Sequence, residues 1–174
     1  MIQIGAPSAT LDAPVDHLVA CHRRIEQRLE TLANAADHLI AERQAALDAI
    51  RKSLLFLDSN GAMHTADEEE SLFPLLRPKL TAEDLSYLDT LEQQHEEAEA
   101  IYAGLRRVVS QISSQPDPGP ELVDEYRGAA ERLRAIYRAH IASEDEVLTG
   151  IARRVLSASD LEKLSEEMRR RRVL

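Results

Sequence analysis

Tryptophan is absent from this sequence, and aromatic residues make up only 3% of its 174 residues. Alanine, leucine, glutamate and arginine are abundant instead, and these residues favour helices over strands. The composition therefore argues against a β-rich fold. We predict an all-α protein, and this length is enough for one domain, covering residues 1–174, with a core of its own.

Cysteine occurs once, as Cys21, so an internal disulfide is excluded. The first residues carry neither the charged segment nor the apolar segment of a signal peptide, and the longest aliphatic run is the short Leu54–Leu57. A single thiol is compatible with a reducing compartment. We therefore expect a cytoplasmic protein that does not insert into a membrane.

Positive charge is in deficit: 21 Lys and Arg face 31 Asp and Glu, which gives a formal net charge of −10. A phosphate backbone would be repelled, so we do not expect nucleic acid as a partner. The one basic run, Arg169 to Arg172, ends the last helical segment, where cations suit the helix dipole. We expect that run to be a solvated helix end.

Four long segments carry apolar residues at three- and four-residue spacing, which predicts an up-down-up-down four-helix bundle. Residues 1–12 form an N-terminal extension in this prediction, and residues 157–174 form a short fifth helix packed across the bundle. Asp12, Thr81 and Ser157 are expected to cap helices. The four helices are predicted to run from about Pro14 to Ile40, from Arg43 to Leu75, from Thr81 to about Ile112, and onward from Leu122, after a proline-rich linker at 113–120.

One phrase occurs twice: His64 is followed four residues later by Glu68, and His140 by Glu144. Residues four apart on a helix point the same way, so each pair offers an imidazole and a carboxylate to one point. A lone histidine on the apolar stripe of the preceding helix comes before each pair, and these two are His22 and His95. This internal repeat predicts a pseudo-two-fold bundle.

The spacing of these histidines also predicts that they meet. In antiparallel neighbours, residues equally far from the connecting turn lie at the same height, at about 1.5 Å per residue. The midpoints between consecutive histidines fall at the first connection, beside Pro78 and inside the proline-rich linker. We therefore expect four histidines and two glutamates at one level of the bundle, where the glutamates need a cation.

Imidazole and carboxylate donors together suit iron, manganese or zinc, and six groups overfill one tetrahedral zinc. Two metals are therefore favoured over one. Four histidines, two bridging carboxylates and an oxo or hydroxo bridge leave about two positions of two six-coordinate ions for ligand or water. Ferritin-like bundles use more carboxylates and the opposite order, Glu-x-x-His.

The sequence instead resembles the hemerythrin-like family, the HHE cation-binding domain, over nearly the whole chain. The resemblance implies a non-haem di-iron centre, with His22, His64, His95 and His140 as terminal ligands and Glu68 and Glu144 as bridges. Oxygen-carrying members have a further histidine where this chain has Glu99. Two roles stay open for Glu99, an additional metal ligand or a solvent-exposed side chain. The motifs that carry the resemblance are Cys21-His22-Arg-Arg-Ile, His64 to Pro74, Gln94-His95-Glu96 and His140 to Leu148.

The resemblance implies a metal-binding protein that binds or senses O2, NO or peroxide in oxidative or nitrosative stress or in iron handling. Members that repair damaged iron centres commonly carry an N-terminal cysteine-bearing segment, which we do not find here, so repair is the second expectation. A redox enzyme that consumes peroxide or NO, and a non-catalytic iron sensor, are further alternatives. The sequence leaves open whether the protein is an enzyme, its oligomeric state and its protein partners.

Several other histidines, tyrosines, acidic residues and the cysteine are expected not to be metal ligands. His17 is a rival to His22 as first ligand, but it lies off the apolar stripe, and His38 is expected at the surface. Cys21 is expected to act as a small apolar residue. Tyrosines at core spacing are expected to fill the core. Acidic neighbours of the motifs should be solvated or contact the ligands from outside, and they are Glu69, Glu70, Asp145 and Glu146.

Overall fold

The computed structural model describes residues 10–173, and all regular structure in that part of the chain is helical. The predicted all-α fold is confirmed. We number five helices. They are α1, Pro14–Ala35, followed by a 3₁₀ turn Ala36–His38; α2, residues 43–79; α3, Ala82–Ser114; α4, residues 120–155; and α5, Ala158–Val173.

Helix α2 runs from 43 to 79 without a break but is not uniform. It consists of α-helix at Arg43–Phe56, Ala62–Asp67 and Phe73–Leu76, π-helix at Leu57–Gly61 and Glu68–Leu72, and a final 3₁₀ turn at Arg77–Lys79. Helix α4 is similar, with α-helix at Pro120–Ser143 and Thr149–Val155 and π-helix at Glu144–Leu148. Single π turns inside α-helices occur frequently at functional sites.

The helix ends follow the sequence signals in most places. Thr81 caps α3, since its hydroxyl accepts a hydrogen bond from the Asp84 amide, and Ser157 and Asp160 form a reciprocal capping box at α5. The expected cap at Asp12 is wrong. Ala13 occupies that position without a side-chain hydrogen bond, while the carboxylate of Asp12 pairs with Arg169 on α5.

The bundle has two apolar clusters, one toward each end. One contains Ile25, Leu57, Leu105 and Leu133, and the other contains Leu18, Leu72, Leu91 and Leu148. Along every bundle helix, the six motif residues come between a member of one cluster and a member of the other. They therefore form a buried polar layer between two apolar ones.

Helix α5 packs against α1 and against the part of α2 around residues 62–72. Its side chains Leu164 and Met168 are fully buried there. No helix among residues 10–173 combines the length and the apolar character needed to cross a membrane. Residues 1–9 of the predicted N-terminal extension, residues 1–12, lie outside the described residues, and so does Leu174.

Candidate metal centre

The four histidines and two glutamates of the repeated motif meet in the middle of the bundle. Their exposed fractions range from 1% for His22, Glu68 and Glu144 to 8% for His95. Two of the ring pairs are close, with centroids 4.7 Å apart for His22 and His64 and 4.5 Å apart for His95 and His140. The structure therefore brings together all six residues that the sequence singled out.

The six side chains form two groups that share both glutamates. One group is His22, His64, Glu68 and Glu144, and the other is His95, His140, Glu68 and Glu144. Within each group, one potential ligand atom per residue lies within 4.8 Å of the others. Nε2 of His64 is 3.2 Å from Oε1 of Glu68, and Nε2 of His140 is 3.1 Å from Oε2 of Glu144. Each four-residue spacing thus joins a histidine and a glutamate on one helix.

Both glutamates stand at the first residue of a π-helical segment, Glu68 in α2 and Glu144 in α4. A π turn adds a residue between bonded backbone groups, and it changes the direction in which the following side chains leave the helix. Because both glutamates begin a π-helical segment, the internal repeat is present in the backbone as well as in the sequence. Apolar periodicity gave no sign of these turns.

The charges in the layer strongly perturb one another. Burial disfavours the imidazolium of His22, but the carboxylates of Glu144 and Glu68 outweigh this effect and raise its pKa to about 11. Burial and the charge of Glu144 raise the pKa of Glu68 to about 8. Burial alone would raise the pKa of Glu144 as well. His140 and His22 outweigh burial and hold this pKa well below its usual range. At neutral pH the side chains by themselves therefore hold protons on His22 and Glu68.

Several polar atoms of the layer have no hydrogen-bond partner among residues 10–173. They are Nε2 of His22, Nδ1 of His64, Oε2 of Glu68 and both carboxylate oxygens of Glu144, and all are buried. Burying carboxylate oxygens without hydrogen-bond partners is costly. A cation that accepts these lone pairs removes the cost, and mixed imidazole and carboxylate donors suit it. The side chains present therefore fit a bound metal.

Three of the histidines are held from outside the layer through Nδ1. The partners are Oδ1 of Asp145 for His22, at 2.7 Å; Oε1 of Glu69 for His95, at 2.8 Å; and Oε1 of Gln94 for His140, at 2.8 Å. Such contacts fix the ring with Nε2 turned toward the layer, where Nε2 of His95 and Nε2 of His140 lie 2.9 Å apart. Glu69 and Asp145 thus contact the histidines from outside the layer, as expected. The same role of Gln94 was not predicted, although Gln94 adjoins His95 in the motif.

The expected solvated helix end at the basic run of α5 is found for Arg169 and Arg170, which are exposed, but the expectation is wrong for Arg171 and Arg172, which are partly buried. Asp67, directly before Glu68, is fully buried, and its carboxylate pairs with Arg171 at 2.5 Å and Arg172 at 2.6 Å. The guanidinium of Arg171 also contacts Glu70 and Ser71. A buried carboxylate requires such partners, but nothing in the periodicity of the sequence connects residues 104 positions apart.

The remaining candidates lie outside the two groups. Glu99 is exposed and lines a cavity of about 500 Å³ together with Thr65, Glu69, His95 and Tyr102. His17 contacts Arg172 at 3.4 Å, and His38 is exposed beside Glu42, as expected for a surface residue. Cys21 is buried in the apolar cluster, also as expected.

A helical bundle with a buried cluster of histidines and glutamates fits the class of cation-binding proteins. Residues 13–152 match the model of the hemerythrin HHE cation binding domain. The chain belongs to this family, as the motifs indicated.

Curated relatives include an uncharacterized protein of Haemophilus influenzae, 29% identical over 94% of this chain and 92% of its own length. Others are iron-sulfur cluster repair proteins YtfE of Escherichia coli and Escherichia fergusonii, each 23% identical over 81% of this chain. The matched part spans 66% of the length of those repair proteins.

Proposed function

We propose that the chain is a non-haem di-iron protein that binds a small ligand, O2, NO or peroxide, in stress response or iron handling. In this proposal His22 and His64 bind one iron, His95 and His140 bind the other, and Glu68 and Glu144 bridge the two. The observation that carries it is the sharing of both glutamates by two complete four-residue groups. Manganese and zinc accept the same donors.

Four protein donors leave positions on a six-coordinate iron for an external ligand. When bound, a pair of irons supplies reversible redox chemistry toward O2, NO or peroxide. The protein residues hold this chemistry in place: Asp145, Glu69 and Gln94 fix three histidines through Nδ1. The apolar clusters above and below the layer limit water and keep side reactions low.

The cavity beside His95 supports entry of a small ligand on that side. It is lined by His95 and by Glu69, the partner of Nδ1 of His95, and it is bordered by the π-helical segment Leu57–Gly61. Its volume of about 500 Å³ is much larger than a diatomic molecule requires. We therefore place the solvent approach between α2 and α3.

Repair of iron centres is the second candidate, and the specific observation in its favour is the printed name of the YtfE relatives. A catalyst that consumes peroxide or NO is a third, since the same centre supports turnover. Repair by iron donation requires iron to leave the protein, reductive turnover of peroxide or NO requires a reductant to regenerate the centre, and simple binding requires neither. These requirements separate the candidates experimentally.

The decisive experiment measures metal content and absorption spectrum together. Protein purified from iron-replete cells should contain about two irons per chain, and the spectrum of the reduced form should change when NO or O2 is added. A folded protein that binds no iron overturns the di-iron proposal. Two irons with a spectrum insensitive to all three ligands overturn the ligand-binding part alone.

The entry route has its own test with a matched control. Ala62 is exposed and lines the cavity, whereas Ala142 is exposed on α4 and lies outside it. Ala62→Phe should slow NO binding by the reduced protein without changing the iron content, while Ala142→Phe should change neither. Equal rates in the two variants contradict the proposed route.

A further inference from the structure

The two proposed metal positions are not supported equally from outside. Nδ1 of His22, His95 and His140 each have a hydrogen-bond partner. Nδ1 of His64 is buried, and no partner for it exists within residues 10–173. His64 is thus held only by its own helix and by contacts at the Nε2 edge of its ring.

The internal repeat explains the difference. His64 in the first repeat corresponds to His140 in the second, and Cys21 corresponds to Gln94, since each directly precedes a lone histidine. The carboxamide of Gln94 reaches across to Nδ1 of His140 at 2.8 Å. A thiol is shorter and a weak acceptor, and Cys21 lies buried in the apolar cluster instead. The sequence therefore supplies the supporting contact in one repeat and omits it in the other.

Such a contact affects metal binding for two reasons. A histidine that binds metal through Nε2 carries its proton on Nδ1, and a buried N–H without an acceptor is costly. The acceptor also fixes the orientation of the ring and makes it a stronger donor, and losing it typically lowers metal affinity by about 10- to 100-fold. His64 lacks both advantages, so its position has one supported histidine, His22, where the other position has two.

We infer that the metal held by His22 and His64 is the exchangeable one, whereas the metal held by His95 and His140 stays bound. This inference rests on the proposed di-metal function and deepens it. Glu68 and Glu144 serve both positions and contribute to both, so the difference comes from Gln94 and Cys21. The exchangeable metal is the one available to a chelating acceptor.

The test follows removal of Fe²⁺ from the loaded, full-length protein by a chromogenic chelator without oxygen. The wild-type protein should release about one iron per chain about 10- to 100-fold faster than the other. His64→Ala should abolish the fast phase and leave the slow one, while His140→Ala should remove the slow phase. A wild-type protein that binds two irons and releases both at one rate overturns the inference but not the proposed function, whereas a folded protein that binds none overturns the proposed function.

The variants of Gln94 and Cys21 assign the cause. Gln94→Ala should bring the slow iron to the fast rate, and Gln94→Glu, which keeps an acceptor oxygen, should preserve the two phases. Cys21→Ala should leave both rates unchanged, because the thiol makes no hydrogen bond to Nδ1 of His64. Cys21→Gln should slow the fast phase. If that larger side chain prevents folding, the Gln94 variants still decide, and unchanged rates in Gln94→Ala overturn the inference.

Discussion

Nδ1 of His22 and Oδ1 of Asp145 lie 2.7 Å apart although 123 positions separate the two residues in the sequence. The same link recurs at 2.8 Å between His95 and Glu69. Asp145 follows the glutamate of the second motif, and Glu69 follows the glutamate of the first. Each repeat thus fixes the lone histidine of the other repeat, so neither half forms its part of the centre alone.

Asp145→Asn should weaken metal binding by about 10- to 100-fold at the position of His22. The amide keeps the shape of the side chain but removes the negative charge that favours a proton on Nδ1. Metal titration of the variant followed by a competing chelator measures this change.

The neighbouring Glu146→Gln is the matched control, because Glu146 is exposed and the structure gives it no contact with the layer. It should bind metal as the wild-type protein does. Equal weakening in the two variants would mean that the overall charge of this helix, and not the contact with His22, controls the affinity.

The pairing of α5 with Asp67 predicts a large effect on stability. The double variant Arg171→Met, Arg172→Met leaves the fully buried carboxylate of Asp67 without a cation. Leaving such a charge unpaired costs about 3 to 5 kcal/mol of the free energy of unfolding. Urea unfolding of the metal-free protein measures it.

Two further variants separate this pairing from a general loss of positive charge. Arg170→Met removes an exposed arginine that pairs with Glu166 one turn away, and it should change the free energy of unfolding by about 0.5 kcal/mol or less. Adding Asp67→Leu to the double variant should restore much of the stability, because no buried charge remains. A triple variant as unstable as the double one would contradict the buried-charge explanation.

The sequence was sufficient to predict the bundle, its turns and the six residues of the layer, because periodicity and four-residue spacing are local and the repeat fixed the register. It did not predict the π turns at Glu68 and Glu144, because apolar periodicity does not distinguish a single π turn from the α-helix around it. The sequence also did not predict the ion pairs of Asp67 with Arg171 and Arg172, for a related reason. An ion pair between distant elements leaves no periodic pattern in either one.

Glu99 provides a direct test of a role that the sequence left open. The side chain is exposed in the cavity beside His95 and belongs to neither group of potential ligands. Glu99→Gln should therefore leave the metal content and the rates of metal release unchanged. Loss of one metal per chain in this variant would make Glu99 a ligand.

The pH dependence of stability should differ between metal-free and metal-loaded protein. Between pH 7 and 8 the folded metal-free protein holds a proton on His22, with a pKa of about 11, and partly on Glu68, with a pKa of about 8. Ordinary pKa values of 6.5 and 4.5 leave both groups largely deprotonated in the unfolded chain. Because the folded state binds more protons, its stability should fall as pH rises, by about 1.4 kcal/mol per pH unit for each proton.

Groups with lowered pKa do not offset this trend. His64, His95 and Glu144 are deprotonated in the folded protein, and above pH 7 they are largely deprotonated in the unfolded chain as well. Their contribution changes only at lower pH. Thermal unfolding of the metal-free protein at several pH values measures the slope, and Glu68→Gln should lose the share that belongs to Glu68.

Metal binding should displace the same protons, since only deprotonated His22 and Glu68 donate lone pairs. Zinc added to the metal-free protein at pH 7 should therefore release about one to two protons per chain. Calorimetric titration in two buffers with different heats of ionisation counts them, and Glu68→Gln should release fewer. If the stability of the metal-free protein rises from pH 7 to 8, the raised pKa values of His22 and Glu68 are contradicted. If zinc binds without releasing protons, His22 and Glu68 do not coordinate the metal.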